Sequence, residues 1–187
     1  AAAPDAVIVN DVPLLVESGL AARYHLVVVV TAAEETRIAR LARDRGMGQA
    51  EAYARIRAQA SDERRQAAAD VLLTNDGEIE DLELRVDRLW THRLLPFEEN
   101  VRLRRPARPK NPLPVVPYDP TWPRQYARLA ARIAHAAGTG RLEHIGPTAV
   151  PGRPAADLID IRLTVDTLAA ADWIADALAA AGFPRAA

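Results

Sequence analysis

The chain has 187 residues, with 24 Lys and Arg against 25 Asp and Glu and a formal net charge of −1. At 49% hydrophobic and 26% charged it reads as a soluble globular protein of one or two domains, and its charge balance excludes nucleic-acid binding by bulk charge alone. The absence of cysteine excludes a disulfide frame, a thiolate zinc site and a thiol nucleophile. No apolar run approaches the roughly 20 residues of a membrane helix and no signal peptide is visible, so a cytoplasmic location is expected. Both ends look cut: Ala1 stands in place of Met just ahead of a strand signal, and Ala187 follows a helix-end signal at Gly182. The expectation is therefore a fragment of a longer protein.

Residues 7–17 read VIVNDVPLLVE. A β-branched run bounded by turn signals predicts a strand buried on both faces, ending near Asp11 because Pro13 cannot donate to a ladder. Leu14, Leu15 and Glu17 then lie past its carboxyl end, where open α/β sheets bind ligands. Residues 26–30 predict a second strand at a distance that allows a parallel crossover.

Thr31 to Glu34 has the T-x-x-E spacing of a capping box, so a helix is expected to start there and stop at Gly46, with Ile38, Leu41 and Ala42 on its apolar face. A second helix is expected over about 49–69. Arg37, Arg40, Arg43, Arg45, Arg55, Arg57, Arg64 and Arg65 crowd this pair. Residues 70–74 predict a third strand, 75–77 (Asn-Asp-Gly) a turn, and Ile79, Leu82, Val86 and Leu89 an amphipathic helix ending near Trp90.

From 94 to 123 the composition changes, and most of the fourteen prolines lie here or shortly after. Residues 97–112, basic through Arg102, Arg104, Arg105, Arg108 and Lys110, are expected to form an extended interdomain linker. The predicted domains are 1–96 and 113–187. In the second, Val115 and Val116 precede a turn, and a helix over 122–137 buries Tyr126, Leu129, Ala130 and Ile133. Residues 142–145 and 159–165 predict strands, the latter alternating between polar and apolar faces. Asp166 is expected to cap a last helix over 167–181.

The residues DVPLLVESGL (11–20), VVVV (27–30), RIARLARDRGM (37–47) and RIRAQASDERRQAAADVLLTNDG (55–77) together resemble dephospho-CoA kinase. The resemblance implies the remnant of an α/β P-loop kinase of the nucleoside-monophosphate-kinase type, a parallel sheet with a helical lid. Such an enzyme uses ATP and Mg²⁺ to phosphorylate the 3′-hydroxyl of dephospho-CoA, the last step of coenzyme A synthesis. It implies ATP-phosphate contacts for Arg40, Arg43 and Arg64, an acceptor pocket lined by Pro13, Leu14, Leu15 and Glu17, and Asn75 and Gly77 near the adenine of ATP. Guanidinium forks suit this task because they clasp phosphate oxygens in pairs.

Plainer readings stand beside these. Arg-rich helices are often solvated faces, Leu14 and Leu15 are core residues first, Glu17 can cap a helix, and Asn75 is a turn former in any protein. No G-x-x-x-x-G-K-[ST] loop occurs among the 187 residues, and Lys110 is the only lysine. The family's phosphate loop and its catalytic Asp are thus missing, no catalytic residue is assigned, and these residues by themselves are expected not to turn over. The alternative is a non-catalytic CoA- or nucleotide-binding or folding-assistance module. A nucleic-acid tether at the linker is disfavoured because its arginines lack interleaved aromatics.

The residues VVPYDPTWPRQY (115–126) and LEHIGPTAVPGRPAADLIDI (142–161) resemble the start of the GrpB (UPF0157) family, implying a truncated α+β nucleotidyltransferase-like domain. The order of kinase followed by GrpB-like domain is found in high-GC Gram-positive bacteria. In that fold a Gly-Ser turn binds phosphate and paired carboxylates hold Mg²⁺. Here Pro147 stands at the Ser position, Arg162 at the second carboxylate beside Asp160, and Ala156 where a Lys is usual, while the spacing of Asp157 does not suit one strand face. Nucleotidyl transfer is not expected. His144, His25, His92 and His135 show no metal-ligand spacing, and no metal site is expected.

Overall fold

A computed structural model describes residue 3, residues 5–107 and residues 112–185. Their contacts divide the chain into two units, one of Ile8–Leu95 and one of Pro96–Ala187 together with Ala1–Val7. No helix among the described residues is long and apolar enough to cross a membrane.

In the first unit β1 (Val28–Thr31) and β2 (Val71–Thr74) pair in parallel, in register from Val28↔Val71 to Thr31↔Thr74. Three helices make the crossover: α1 (Glu34–Arg45), α2 (Gln49–Arg57) and α3 (Asp62–Ala68). Polar contacts extend the ladder at both ends. Val27, 5% exposed, donates its N–H to Asp70 Oδ2 at 2.8 Å, and the Asp70 N–H returns to the Val27 carbonyl. At the other end the Asn75 N–H donates to the Thr31 carbonyl at 2.7 Å. Leu73 is buried in this sheet, whereas Val30 and Leu72 keep half their surface in solvent. α4 (Ile79–Leu89) follows, with a π-helical turn over Trp90–Leu94. Arg85 and Arg93 reach back from this segment to the Thr74 and Asp70 carbonyls of the β2 region.

The predicted strand over 7–11 does not form. These residues are irregular, and Ile8 and Val9 are 75% and 77% exposed. β-propensity alone does not make a strand, because the stabilising unit is the cross-strand pair. Among the described residues nothing pairs with this run. The Thr31–Glu34 capping box is not made either. Thr31 ends β1, Ala33 is the N-cap, and the Asp76 carboxylate accepts the Ala33 N–H at 2.7 Å. A cap from 43 residues away thus replaces a local one. The single helix predicted over 49–69 is two helices, broken at 58–61, where Ser61 caps α3 through Oγ. Gly46 ends α1 as expected, in the left-handed region at φ 61°, with the Met47 N–H closing back on the Leu41 carbonyl.

The second unit begins with α5 (Leu95–Arg102), so residues 97–102 are helical where an extended linker was expected. Pro96 comes just after the π-helical turn that joins α4 to α5, and Glu98 and Arg102 pair one turn apart at 2.7 Å. Part of the expected linker, 108–111 with Arg108 and Lys110, lies outside the described residues. Two antiparallel pairs follow, β3 (Val115–Val116) with β5 (Ala155–Ala156) and β4 (Arg141–Ile145) with β6 (Asp160–Thr164). α6 (Trp122–Ala137) and α7 (Leu168–Ala180) pack on one another and bury Ile133, Ala137, Ile174 and Ala179. Trp122, fully buried, donates its indole N–H to Asp157 Oδ1 at 2.8 Å. Thr167, not Asp166, caps α7: its side chain reaches the Ala170 N–H at 3.1 Å. Gly146, at φ 72°, is required because a Cβ there would overlap the Asp160 carboxylate.

Asp70→Ala leaves the buried Val27 N–H without its acceptor. It is expected to lower the unfolding free energy of the first unit by about 1–3 kcal/mol in urea titration, with Asp70→Asn costing less because its carbonyl can still accept.

Candidate functional site

The carboxyl ends of β1 and β2 meet the Asn75-Asp76-Gly77 turn, and α1 is fastened to that turn twice. Asp76 accepts the Ala33 N–H at the start of α1, and about two turns later Arg40 donates from Nη1 to the Asn75 carbonyl at 2.8 Å and from Nη2 to Asn75 Oδ1 at 3.4 Å. Two predicted site residues, Arg40 and Asn75, are therefore in contact. Gly77 stands beside them, with the Asp81 carboxylate at ordinary contact distance from where a Cβ would be.

α1 and α2 enclose an open cleft of about 270 Å³. Arg37, Arg40, Arg45 and Arg55 line it over Leu41 and Ile56. Helical spacing places 37, 40, 41 and 44 on one side of α1, so the Asp44 carboxylate joins the lining, while 55 and 56 come from the last turn of α2 and Gln59 from the break that follows it. Arg37 also donates to Asp62 at 3.1 Å, and its Nε is buried with no hydrogen-bond partner among the described residues. An anion in the cleft would meet guanidinium groups from both helices.

The other predicted arginines sit elsewhere. Arg43 is 72% exposed and bidentate to its neighbour Asp44, at 2.6 and 3.0 Å. That hydrogen-bonded pairing raises the Arg43 guanidinium above its ordinary range and lowers the Asp44 carboxyl below its own. Arg64 is exposed. The next residue, Arg65, faces inward instead: it is 17% exposed, donates to Gln59 Oε1 at 2.7 Å and lies 3.9 Å from Asp62. Counting arginines along the sequence does not separate Arg64 from Arg65. The break at 58–61 does, because it resets the helical phase of α3.

Pro13, Leu14, Leu15 and Glu17 lie on successive turns over 12–20, closed by the Ser18 N–H to the Leu14 carbonyl and the Leu20 N–H to the Leu15 carbonyl. Leu14 is 53% exposed and Leu15 half-buried. Glu17 turns toward the α2–α3 break, where Oε1 accepts the Ala60 N–H at 2.6 Å. That bond and the residue's own N–H, helped by Arg65 and Arg64 and opposed by burial, hold the Glu17 carboxyl below its usual range. Its ionised form therefore stabilises the fold above the ordinary carboxylate pKa, and this contribution fades as pH falls through the lowered value.

In the second unit the carboxylates are committed to structure. Asp157 holds the Trp122 indole, and Arg162 donates from Nε and Nη2 to Glu143 Oε2 across the β4–β6 pair, at 3.0 and 2.9 Å. His144 stacks on Tyr126 at 4.8 Å and lies 3.1 Å from Thr148 Oγ1. Because the Thr148 hydroxyl donates to the Leu158 carbonyl at 3.0 Å, the histidine Nε2–H is the donor in the first bond. Among the described residues no group of three or more His, Asp or Glu converges on a metal position.

Comparison with known proteins matches residues 1–81 to the family model described as dephospho-CoA kinase and residues 112–187 to that described as GrpB protein. A dephospho-CoA kinase of Mycolicibacterium paratuberculosis is 48% identical over 186 residues, 97% of this chain and 45% of that protein. One of Mycobacterium tuberculosis is 50% identical over the same share of each. One of Streptomyces avermitilis is 54% identical over 90 residues, 48% of this chain and 44% of that protein. The chain thus spans less than half the length of these curated relatives.

Burial holds the His144 imidazole below its ordinary pKa of 6.5, against a smaller opposing pull from Asp160. The neutral ring stabilises the second unit above pH 6.5, and that contribution is lost as pH falls toward and through the lowered value. Urea midpoints read by amide exchange in this unit are expected to drop over that interval, and the drop is expected to shrink in His144→Gln.

Proposed function

From the match of residues 1–81 to the dephospho-CoA kinase family model and of residues 112–187 to the GrpB model, we propose that the protein carrying them phosphorylates the 3′-hydroxyl of dephospho-CoA with ATP. The observation that carries this reading is the four-arginine cleft, with Arg40 fastened to Asn75 at the carboxyl end of the parallel pair. In this transfer the acceptor oxygen bonds to the γ-phosphorus, the β–γ bridging bond breaks, ADP leaves, and the hydroxyl proton passes to a base. Such chemistry is mostly positioning and charge stabilisation, which arginines converging on one cleft supply.

In this proposal Arg40 contacts the ATP phosphates, and Asn75 and Gly77 form the adenine side. Arg43 and Arg64 are outer contacts, weakened in the first case by the Asp44 pair and in the second by exposure. Pro13, Leu14 and Leu15 form the acceptor wall, with Glu17 supporting it from behind through Ala60. Mg²⁺ would neutralise phosphate charge in such a reaction, but the described residues offer no converging donor set for it.

The 187 residues contain no P-loop sequence and no lysine other than Lys110. A polypeptide of these residues alone is therefore proposed to bind ligands without turning over. That keeps a second reading in play, a CoA- or nucleotide-binding or folding-assistance module. We take 1–96 as the kinase part, 97–112 as the linker and 113–187 as a GrpB-like unit that supports folding or regulates the kinase, in a cytoplasmic protein. Pro147 and the Arg162–Glu143 pair argue against nucleotidyl transfer by that unit.

Titration calorimetry of the chain with ATP and dephospho-CoA, beside an assay for dephospho-CoA-dependent ADP release, tests this. Weak binding without turnover is expected, since neither ligand is expected to bind tightly to residues that include no phosphate-loop sequence, and dephospho-CoA-dependent ADP release by these residues alone would overturn the reading. Arg40→Ala is expected to weaken ATP binding about tenfold, ~1.4 kcal/mol. Arg43→Ala is expected to change it less than about twofold, since exposed ion pairs contribute little.

A further inference from the structure

α1 and α2 carry the cleft arginines, and the crossover they form with α3 is tied down at two points. At the first, α1 is fixed by Asp76 and Arg40 to the 75–77 turn. At the second, between α2 and α3, the chain breaks helix over 58–61, and the break exposes backbone N–H groups to be satisfied. Ser61 takes one, from Arg64. The Ala60 N–H goes to a residue 43 positions away, Glu17 at 2.6 Å, although Ala60 is only 6% exposed and has no local side-chain acceptor. Around this bond Arg65 reaches Gln59 and Asp62, and Asp62 reaches Arg37 in the cleft wall. Glu17 thus ties the 12–20 turns to the break, and the backbone of 59–62 carries that tie to the side chains that meet Arg65 and Arg37.

We infer that Glu17 is a positioning residue: by holding the Ala60 N–H it couples the Pro-Leu-Leu-x-Glu turns to the arginine helices and sets the cleft's geometry, without itself contacting phosphate. Its charge points the same way. A carboxylate beside Arg64 and Arg65 opposes anion binding by simple electrostatics, so its place there is explained by what it holds. The binding arm of the test rests on the phosphate-clasping reading above, whereas the exchange arm does not.

The experiment uses the 187-residue chain, residue-resolved amide exchange, and calorimetry with inorganic pyrophosphate. In Glu17→Ala the Ala60 amide is expected to exchange at least about tenfold faster, with the β1–β2 amides unchanged. Pyrophosphate affinity is expected to fall about threefold or more, although removing a negative charge alone would raise it. Glu17→Gln, which keeps an acceptor oxygen at the same reach, is expected to restore Ala60 protection and pyrophosphate affinity. Glu17→Asp, which keeps the charge but loses the reach, is expected to resemble Glu17→Ala. It carries the test if Glu17→Ala unfolds the strand pair. Unchanged Ala60 exchange in both shortened variants, or tighter pyrophosphate binding in them, overturns the inference. If the unsubstituted chain binds neither pyrophosphate nor ATP, the phosphate reading fails, and Ala60 exchange alone decides whether Glu17 holds the break.

Discussion

The register of β1 on β2 is the constraint on which the first unit depends. Pairing Val28 with Val71 and Thr31 with Thr74 brings Asn75 beside Thr31 and Asp76 beside Ala33. Only then can α1 start where it does, and only then does its second turn present Arg40 to the Asn75 carbonyl. A slip of one residue would turn each side chain to the opposite face and separate these groups. The strand pair is short, but the Val27–Asp70 and Thr31–Asn75 bonds lengthen the ladder at both ends with polar contacts that have no cheap substitute.

From this frame the arginine helices acquire a direction. α1 is held at its start by a carboxylate and in its second turn by a guanidinium–carbonyl bond, so the cleft it shares with α2 opens in a fixed relation to the strand ends. The same unit leaves apolar surface open at Ile8, Val9, Val30 and Leu72. Side chains of this kind at a sheet face ordinarily mark a place where further chain or a partner packs. The second unit solves its packing differently. It closes around one buried aromatic, Trp122, whose indole is satisfied by Asp157, and around the Tyr126–His144 stack, whose imidazole is satisfied through Thr148. Asp157 and Glu143 serve as hydrogen-bond partners for Trp122 and Arg162.

Much of the secondary structure was legible. β1, β2, α1 with its Gly46 stop, α6, and the β4 and β6 strands lie close to where periodicity and turn residues put them. The failures share a cause. The 7–11 run has the right residues for a strand and no partner among the described residues, and strands are made by partners. The Thr31–Glu34 spacing fits a capping box, but the sheet claimed Thr31 and Asp76 replaced it as the cap. The 49–69 helix broke at 58–61, where Glu17 and Ser61 satisfy the freed N–H groups. In the last two cases a contact distant in sequence stands where a local preference worth about 1 kcal/mol would have acted.

By itself, the sequence determined the two-part composition, the strand signals at 26–30 and 70–74, the density of arginine on the helices between them, and the motifs by which each half resembles a known family. All of these are local or compositional, carried by side-chain type and spacing. That the two strands pair in parallel, and that 7–11 joins neither, came from the structure. The tertiary structure alone decided which arginines share a cleft, that Arg65 faces inward while Arg64 does not, that Arg40 rests on Asn75, and that Glu17 serves the Ala60 N–H. Those assignments depend on the phase of each helix and on which buried N–H lacks a partner. Both quantities come into being only when distant segments meet.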